Sequence, residues 1–479
     1  MNTIQNYIDG AMVPALSGAR LDNLDPATGE LLGSLPDSEA ADIERAVAAA
    51  ERAFPAWANA APDVRATALE RLANCLEQRL DEFARAESVD SGKTLRQARE
   101  LEIPRAVTNL RFFAAQARTF ASESHALPQA INYTLRQPLG VVGCISPWNL
   151  PLYLFSWKIA PALAAGNCVI GKPSEVTPLT ASMLCRGATE TGFPPGVLNV
   201  VHGVGSRAGQ ALVDHPRVRA ISFTGGTQTG TALAQRTAAS LKKVSLELGG
   251  KNPNLIFADC DYAKALETSV RSSFANQGQI CLCGSRIYVQ APLYEQFCAD
   301  LAERARQLRV GDPLEPASDL GAIVSAAHYQ KILGCLETAR REGGNILCGG
   351  EPMHPAGRCA RGYFISPTVI SGLPETCATN QQEIFGPVVT VQMFSSTDEA
   401  IRLANSTNYG LSASIWTRDL GTAHRVAREL AAGVVWVNCW LVRDLRTPFG
   451  GVKQSGSGRE GGLEAMRFFT ETKNICVEY

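Results

Sequence analysis

Short β-branched runs alternate with helical stretches from Gly140 onward, and this alternation constrains the fold more than any other feature. The first series of predicted strands comprises Val141 to Ile145, Cys168 to Gly171, Val197 to Val201, Ala220 to Phe223 and Val244 to Leu248. A second series follows near Asn254 to Phe257, Arg286 to Val289, Val388 to Met393, Ser412 to Trp416 and Val434 to Asn438. Strands that alternate with helices connect by right-handed crossovers. The sequence therefore predicts an α/β fold with a doubly wound parallel sheet and a second α/β domain.

Other segments lie outside the two series. Residues Ala40 to Thr119 place apolar residues three or four apart, with turn signals at Ala61-Pro62 and Ser91-Gly92, which predicts a run of amphipathic helices. Leu127 to Leu135 and Asn474 to Tyr479 read as two further strands. Peripheral strands of this kind either pair between subunits or form simple sheet edges, and the pattern alone leaves both interpretations open.

Charge and hydropathy exclude several classes of protein. The 479 residues include 45 Lys+Arg and 46 Asp+Glu, a formal charge of -1 that offers no general attraction to nucleic acid or anionic lipid. The longest apolar stretches, such as Ile159 to Gly171, fall short of the roughly 20 residues of a spanning helix. Met1 to Gly10 lacks the basic and apolar regions of a signal peptide, so a cytoplasmic location is expected.

Cysteine and histidine spacing argues against disulfides and metal sites. The 14 cysteines are scattered without a CxxC, and the six histidines are too dispersed to complete a set of metal ligands. We therefore expect no metal and reduced, mostly buried thiols, with one exception.

That exception is Cys281, which follows a predicted helix break at Gly278 and directly precedes a strand. A nucleophilic thiol requires an exposed, backbone-lined corner of this kind, because the thiolate is the attacking species. A buried structural thiol is the alternative interpretation of the cysteine taken alone.

Two polar residues elsewhere suit the same chemistry. Glu247 ends an apolar strand before two glycines, where desolvation would raise its pKa toward that of a general base. Asn149 lies between Pro147 and Pro151, a place from which its amide can stabilise an oxyanion. A salt-bridged glutamate and an ordinary turn asparagine remain the structural alternatives.

Two further segments are typical of dinucleotide binding. Lys172 and Glu175 follow a strand, where a cation and an anion can contact ribose hydroxyls. Phe223 to Gly230 opens a helix with glycines, whose free backbone N–H groups can bind a phosphate.

In this order, the motifs resemble those of the NAD(P)-dependent aldehyde dehydrogenase superfamily over essentially the whole chain. The segments that carry the resemblance are Pro147 to Pro151, Gly171 to Glu175, Phe223 to Gly230, Leu246 to Pro253, Asn276 to Cys281, Glu383 to Pro387 and Pro448 to Gly456. The resemblance implies a Rossmann-type NAD-binding domain (1–121 and 138–248), a catalytic domain (249–450) and a small β oligomerisation arm (122–137 and 467–479). A homodimer or homotetramer is implied, and the sequence does not choose between them.

The resemblance also implies the catalytic roles. Cys281 would attack the aldehyde carbon, Asn149 and the Cys281 backbone N–H would stabilise the oxyanion, and Glu247 would activate the water that hydrolyses the thioester. The implied cofactor is NAD, because a carboxylate at Glu175 repels the 2′-phosphate of NADP. Glu460 matches a position linked to water or proton handling, with a structural ion pair as the alternative.

The positions implied in cofactor binding are spread over both domains. They are Ser146, Trp148, Lys172, Glu175, Gly225, Gly226, Gly230, Leu248, Glu383 and Phe385. Lys172 and Glu175 match adenosine-ribose contacts, and Glu383 matches a nicotinamide-ribose contact. Many relatives carry Ser or Glu where this chain has Gly226, which leaves the pyrophosphate to backbone N–H groups.

The substrate expectation comes from a narrower resemblance, to the 2-hydroxymuconate and 2-aminomuconate 6-semialdehyde dehydrogenases of aromatic-ring degradation. Its most specific part is the string from Trp440 to Thr447. Arg443 and Arg105 align with positions that are usually apolar in relatives acting on uncharged aldehydes, and an arginine binds a carboxylate bidentately. Tyr153 is a further candidate for the substrate tunnel, with an ordinary core aromatic as the alternative. Arg446 is expected in an interdomain salt bridge, and the alternative for Arg443 is a pair with adjacent Asp444 or a solvated loop charge. The alternatives left open are an uncharged aldehyde substrate and the choice between the 2-hydroxy and 2-amino compounds.

Overall fold

The computed structural model describes residues 2–479 and confirms the predicted α/β class. The α-helices are α1 (Ala40–Ala58), α2 (Pro62–Gln78), α3 (Leu80–Ser91), α4 (Leu95–Gln97), α5 (Ile103–Thr119), α6 (Pro151–Ala164), α7 (Leu179–Glu190), α8 (Gln210–Asp214), α9 (Thr227–Ala238), α10 (Tyr262–Phe274), α11 (Tyr294–Arg306), α12 (Ala326–Arg341), α13 (Ala378–Gln381), α14 (Thr397–Ala404), α15 (Leu420–Glu429) and α16 (Gly462–Phe468). The helical run predicted between Ala40 and Thr119 thus corresponds to α1 to α5.

The strands follow the same order along the chain. They are β1 (Asn2–Thr3), β2 (Asn6–Ile8), β3 (Ala11–Val13), β4 (Arg20–Leu24), β5 (Leu31–Pro36), β6 (Ser124–Leu127), β7 (Ala130–Pro138), β8 (Val141–Ile145), β9 (Cys168–Lys172), β10 (Leu198–Val200), β11 (Val218–Thr224), β12 (Lys243–Glu247), β13 (Pro253–Ile256), β14 (Arg286–Gln290), β15 (Asn345–Cys348), β16 (Pro352–Met353), β17 (Phe364–Ile365), β18 (Thr368–Ser371), β19 (Val388–Phe394), β20 (Ser412–Trp416), β21 (Val434–Val437), β22 (Gly456–Ser457) and β23 (Thr470–Glu478). All ten strands predicted in the two alternating series are present.

The first series forms the centre of an eight-stranded sheet, in the order β22-β12-β11-β8-β9-β10-β2-β3. Strands β12, β11, β8, β9 and β10 are parallel, and antiparallel β22, β2 and β3 lie at the two ends. The side chains of β8 and β9 are buried throughout, as expected for a parallel sheet covered on both faces. Helix α6 packs against this sheet, which explains the long apolar stretch around it.

The second series forms a seven-stranded sheet, in the order β15-β18-β19-β14-β13-β20-β21. Its strands are parallel except for β15, which runs antiparallel to β18. The short stretch between β12 and β13, residues 248–252, joins the two sheets and brings the catalytic candidates of both into one cleft.

A separate three-stranded antiparallel sheet has the order β23-β7-β6. The prediction of one strand over Leu127 to Leu135 is wrong, because the chain turns at Pro128 and Gln129 and forms the hairpin of β6 and β7. Pro128 has no backbone N–H for a strand ladder, which favours the turn at this point. The C-terminal strand is longer than predicted and pairs with β7 over its whole length.

The fourteen cysteines form no disulfide. Within residues 2–479, no helix has the length and apolar character needed to cross a membrane.

Candidate active site

Four parallel strands of the eight-stranded sheet end at the same edge, and each carries predicted site residues. Strand β8 leads into Ser146 to Asn149, β9 ends at Lys172, β11 ends at Thr224, and β12 ends at Glu247. Ligands of open α/β sheets bind in the crevice outside these carboxyl ends. The topology therefore brings together residues that are about a hundred positions apart in sequence.

A cavity of about 260 Å³ lies at this edge. Of the predicted residues, it is lined by Trp148, Asn149, Gly225, Gly226, Leu248, Cys281, Glu383 and Phe385. Ser146, Lys172, Glu175 and Gly230 do not line it. The nucleophile candidate and the nicotinamide-side candidates thus share one space, and the adenosine-side candidates lie outside it.

Aromatic rings form one wall of this first cavity. Trp148 packs edge-on against Phe385 with ring centroids 5.3 Å apart, and His328 lies 4.9 Å from Trp148. His328 Nε2 is 2.7 Å from the Phe385 carbonyl oxygen, which only accepts, so Nε2 carries the proton. Burial lowers the pKa of His328 to about 4, so the imidazole is neutral at pH 7. Phe385 has a left-handed backbone, with φ of 62°, that this contact supports.

Glu383 enters the cavity against the glycine pair that follows β12. Its Oε1 accepts a hydrogen bond from Gly250 N at 2.8 Å, and a Cβ at Gly249 would lie 2.2 Å from its Oε2. Burial raises the pKa of Glu383. Glu383 packs closely against both glycines, and a side chain at Gly249 would displace its carboxylate.

Lys172 and Glu175 form an ion pair at the end of β9, with Nζ and Oε2 2.7 Å apart. Burial alone would raise the pKa of Glu175, but the Lys172 ammonium and the Gly205 N–H bring it below its usual value. A negative charge is thus fixed at this strand end, while the carboxylate remains partly exposed and can still accept from a hydroxyl group.

The start of α9 has the geometry of a phosphate site. A Cβ at Gly226 would meet nothing within 4 Å, so the approach to the first turn is open. A Cβ at Gly230 would lie 2.3 Å from Leu248 Cδ2, so Leu248 packs directly onto the helix backbone. Ser146 Oγ is buried and, among the described residues, has no hydrogen-bond partner. Free helix N–H groups and an unpartnered hydroxyl fit a dinucleotide.

Cys281 follows three residues with left-handed backbone. Asn276, Gln277 and Gly278 have φ of 52°, 55° and 70°, and a Cβ at Gly278 would lie 2.0 Å from the Gly386 carbonyl oxygen. Left-handed conformations cost free energy at residues other than glycine and persist where neighbouring groups enforce them. A helix break before Cys281 is confirmed, but its predicted position at Gly278 is wrong, because α10 ends at Phe274.

Side-chain amides hold this loop in place. Asn252 Nδ2 donates to the carbonyls of Cys281 at 2.7 Å and Cys283 at 2.8 Å, and Gln277 Nε2 donates to Gly92 O and Ala322 O. Burial raises the pKa of Cys281, Glu383 and Glu247 raise it further, and Arg443 opposes the rise. The thiol is therefore protonated before a reaction, and attack requires a base.

Asn149 lies beside the cysteine loop. Its Nδ2 donates to the Gln279 carbonyl at 2.9 Å, and Asn276 Nδ2 and Lys93 Nζ both donate to its own carbonyl at 3.0 Å. The amide carries a second N–H, and the residue lines the cavity beside Cys281. This arrangement suits an oxyanion donor.

Glu247 is buried, and among the described residues its Oε1 has no hydrogen-bond partner. Burial raises the pKa of this carboxyl well above its usual value, the nearby Glu460 raises it further, and Lys158 and Arg443 oppose the rise. A carboxyl with a raised pKa and a free oxygen has the properties of a general base.

Glu460 forms a buried ion pair with Lys158, with Oε1 and Nζ 2.7 Å apart. Ser222 Oγ donates to the same carboxylate oxygen at 3.1 Å. The structural interpretation of Glu460 therefore applies, and the residue also lines a second cavity beside Glu247.

This second cavity, of about 60 Å³, meets the first one at Cys281 and Thr224, which line both. Its remaining wall is mostly apolar and comprises Leu101, Leu150, Leu154, Trp157, Ile280, Leu282, Leu441 and Phe449. The predicted substrate residues Arg105, Tyr153 and Arg443, together with Glu247 and Glu460, complete it. Cys281 thus separates a cofactor-type cleft from a mostly apolar tunnel with two cations and two carboxyl groups.

Arg443 is the best-defined cation of this tunnel. Its Nη1 donates to Tyr153 Oη at 2.8 Å, and its guanidinium lies 4.0 Å from the centre of the Phe449 ring and 5.4 Å from that of Trp157. Within residues 2–479 it forms no salt bridge. Cation–π contacts compensate part of its charge, and a carboxylate ligand would compensate the rest.

The other two arginines differ from each other. The Arg105 guanidinium lies 5.9 Å from the centre of the Tyr153 ring. Arg446 is exposed and pairs with Asp444 at 2.5 Å, so Asp444 neutralises Arg446 and leaves Arg443 unpaired. The expectation of an interdomain salt bridge for Arg446 is wrong, because its partner Asp444 lies two residues away in the same loop.

Several residues of the site were not predicted from the sequence. His328 and Lys331 in the first cavity belong to α12, and Trp157, Phe449 and Lys158 surround the second. Lone histidines and core aromatics carry no local motif, so only the packing of distant elements reveals them.

Comparisons with known proteins show the family of the chain. The sequence model of the Aldehyde dehydrogenase family matches residues 13–475. The 2-aminomuconic semialdehyde dehydrogenase of Danio rerio is 49% identical over 99% of this chain and 98% of its own length. The 2-hydroxymuconic semialdehyde dehydrogenase of Pseudomonas sp. (strain CF600) is 45% identical over all of both chains.

Among solved structures, the NAD+ complex of an aldehyde dehydrogenase from Bacillus cereus superposes with a TM-score of 0.97. It is 37% identical and covers 100% of this chain and 97% of its own.

Proposed function

The chain belongs to the aldehyde dehydrogenase family, and from that premise we propose that it oxidises a carboxylate-bearing muconate semialdehyde to the dicarboxylic acid with NAD. As a member of the family it is an oxidoreductase that acts on aldehydes. The two candidate substrates are the 2-hydroxy and 2-amino forms of muconate 6-semialdehyde, because the relatives are named for these compounds.

The observation that carries the substrate proposal is the unpaired Arg443 in an apolar tunnel. Arg443 is half-buried and has no ion-pair partner within residues 2–479, and a bound carboxylate would make it a charge-assisted, bidentate pair. With the acid end of the substrate at Arg443 and Arg105, the aldehyde would extend toward Cys281 at the junction of the two cavities. Tyr153 supports this role because it fixes the guanidinium by a hydrogen bond.

The residues around Cys281 suit acyl transfer through a covalent intermediate. The thiol loses its proton to solvent water and its sulfur attacks the aldehyde carbon, which gives a thiohemiacetal. Asn149 Nδ2 and the Cys281 backbone N–H donate to the oxygen that becomes negative. Glu247 then removes a proton from water, the hydroxide attacks the thioester carbonyl, and the Cys281 thiolate leaves as the carboxylic acid forms.

The residues at the strand ends fit NAD. When bound, NAD supplies the oxidant that converts the thiohemiacetal to the thioester. Lys172 and Glu175 would bind the adenosine ribose, Gly225, Gly226 and the α9 N–H groups the pyrophosphate, and Glu383 the nicotinamide ribose. Trp148, Phe385 and Leu248 would pack against the cofactor. The ionised Glu175 favours NAD over NADP by charge repulsion.

An uncharged aldehyde is the second candidate substrate, because most of the tunnel wall is apolar. A hydrocarbon chain and a muconate chain would make equally favourable contacts with the leucines and aromatic rings of this wall. It would leave Arg443 without an anion, which is the reason the charged substrate is preferred.

The proposal is tested by measuring NADH formation with 2-hydroxymuconate 6-semialdehyde and with hexanal, an uncharged six-carbon aldehyde. We expect kcat/KM to be at least about tenfold higher for the charged substrate, since one charged hydrogen-bonded pair contributes roughly 1.5–3 kcal/mol. Cys281→Ser is the control and should be inactive on both substrates. Equal or reversed kcat/KM values would contradict the carboxylate assignment and favour the uncharged aldehyde.

We also propose that the three-stranded sheet is the oligomerisation arm. Residues paired across antiparallel strands lie on one face, and the pairing places Ile131, Tyr133, Leu135, Ile475 and Val477 together. Leu135 and Val477 are among the exposed large apolar residues. An apolar face of this kind supports pairing with another subunit. The domain boundaries at 121, 138, 248 and 450 remain predictions.

A further inference from the structure

A buried charge cluster lies next to the site and has no part in the mechanism above. It comprises Lys93, Glu87 and Glu102, all fully buried. Lys93 forms an ion pair with Glu102, and its Nζ lies 3.9 Å from Glu87 Oε1. Burying three charged groups costs free energy of folding, and an apolar cluster at the same place would not carry that cost.

One end of the cluster holds Asn149. Lys93 Nζ donates to the Asn149 carbonyl at 3.0 Å, and Asn276 Nδ2 donates to the same oxygen. A charged donor gives the stronger of these hydrogen bonds. Two donors on one carbonyl fix the peptide plane, and with it the direction in which the Asn149 side chain leaves the backbone.

The other end of the cluster holds the substrate-binding helix. Glu102 closes a π-helical segment, Ala98–Glu102, and α5 begins at the next residue, with Arg105 in its first turn. Gln97 Nε2 donates to the second oxygen of Glu102 at 2.8 Å. π-helical turns inside helices are rare and occur frequently at functional sites. Here the turn directs Glu102 inward, toward Lys93, and leaves Leu101 and Arg105 on the tunnel.

We propose that Lys93 is a positioning residue that orients Asn149 toward the oxyanion and, through Glu102, fixes the distance between Asn149 and Arg105. The second part rests on the proposed function, because it matters only if Arg105 binds the substrate carboxylate. The first part applies to every aldehyde. One buried ion pair would then position the residues that bind the two ends of a semialdehyde, which favours a substrate of one length.

The test compares Lys93→Met and Glu102→Gln with Thr180→Val as the matched control. Thr180 donates to Glu87 Oε2 at 2.6 Å, so its loss weakens the same cluster without reaching Asn149. For each variant, kcat and KM are measured with hexanal and with 2-hydroxymuconate 6-semialdehyde, together with the NADH Kd and the Tm.

With hexanal, we expect kcat of Lys93→Met to fall about ten- to a hundredfold, less than the roughly hundred- to thousandfold loss of an oxyanion donor itself. The NADH Kd should stay within about twofold of wild type. Glu102→Gln should lower kcat in the same direction and raise KM for the charged semialdehyde more than KM for hexanal. Thr180→Val should lower Tm and leave kcat unchanged.

An unchanged kcat in a folded Lys93→Met would overturn the proposal, as would an equal loss of kcat in Thr180→Val. If Lys93→Met does not fold, Glu102→Gln decides by the same kcat criterion, since it keeps the size of the side chain. The kcat values with hexanal test the positioning of Asn149 even if wild type shows no preference for the charged substrate. A failure of the proposed function can therefore be distinguished from a failure of the role of Lys93.

Discussion

Glu247 is the residue whose replacement separates the two halves of the reaction. In Glu247→Gln the thiol can still attack, but no carboxylate activates water, so the acyl group should remain on Cys281. Loss of a general base costs roughly a hundred- to ten-thousandfold in rate. We expect steady-state kcat to fall by that factor, with a burst of NADH equal to the number of sites and a mass increase on Cys281. A linear time course without a burst would contradict this role.

The pH dependence of kcat reports the same carboxyl group. Burial raises its pKa, so at low pH the group is protonated and cannot accept a proton from water. The wild-type kcat should therefore rise with pH through the raised pKa, and the rise should be absent in Glu247→Gln. The same rise in both proteins would assign the titration to another group, such as the Cys281 thiol, whose pKa is also raised.

Single residues show how far the sequence predicts this site. The motifs around Cys281, Glu247 and Asn149 predicted residues that the fold brings together, with Asn149 in the first cavity, Glu247 in the second and Cys281 in both, because each stands at the end of a strand or beside a helix break. The unpaired state of Arg443 was not predictable, since Asp444 is adjacent to Arg443 and two residues from Arg446, and only the loop geometry decides which one it pairs with. His328 carries no local signal at all.

At the scale of elements, the start of α9 offers a matched pair of glycine substitutions. Gly230→Ala would place a methyl group 2.3 Å from Leu248 Cδ2, so Leu248 or the helix must move. Gly226→Ala would enter open space with an ordinary backbone. We expect Gly230→Ala to weaken NADH binding by about tenfold, or about 1.4 kcal/mol, and Gly226→Ala to change it less than about twofold. Fluorescence titration measures both, and equal Kd values would contradict the assignment of this helix turn to the cofactor.

Strands and helices were predictable where burial imposes a pattern. Val141–Ile145 and Ser412–Trp416 have the predicted bounds, and both strands are buried at every position. The hairpin of β6 and β7 was missed because β6 is exposed and β7 is mostly half-buried, so neither strand has the pattern of a fully buried one. The N-terminal strands β1 to β5 were not predicted because they are short. The π-helical turn before α5 was not predicted because it depends on the buried ion pair of Glu102 with Lys93.

At the scale of the whole molecule, the apolar face of the three-stranded sheet predicts association. Ile475→Asp places a charge on that face, whereas Cys476→Asp places the same charge on the opposite face, one residue away. We expect wild type and Cys476→Asp to sediment as dimers or larger oligomers and Ile475→Asp to dissociate toward monomers. Identical sedimentation of the two variants would contradict the role of this face.

The two large sheets create the site between them, so its chemistry depends on how they join. Glu247 and the glycines after it leave the eight-stranded sheet, and Cys281 precedes β14 of the seven-stranded sheet. The sequence predicted both sheets but not their contact. The two cavities on either side of Cys281 are therefore a property of the assembled molecule.

The most direct test of the account is the ratio of kcat/KM for 2-hydroxymuconate 6-semialdehyde to that for hexanal, measured in wild type, Arg443→Met and Arg446→Met. The Arg446 variant is the matched control, because it removes an exposed arginine that Asp444 already neutralises. We predict that Arg443→Met lowers this ratio by about ten- to a hundredfold, or roughly 1.5–3 kcal/mol, and that Arg446→Met leaves it unchanged. An unchanged ratio in Arg443→Met, or the same fall in both variants, would contradict a carboxylate held by Arg443.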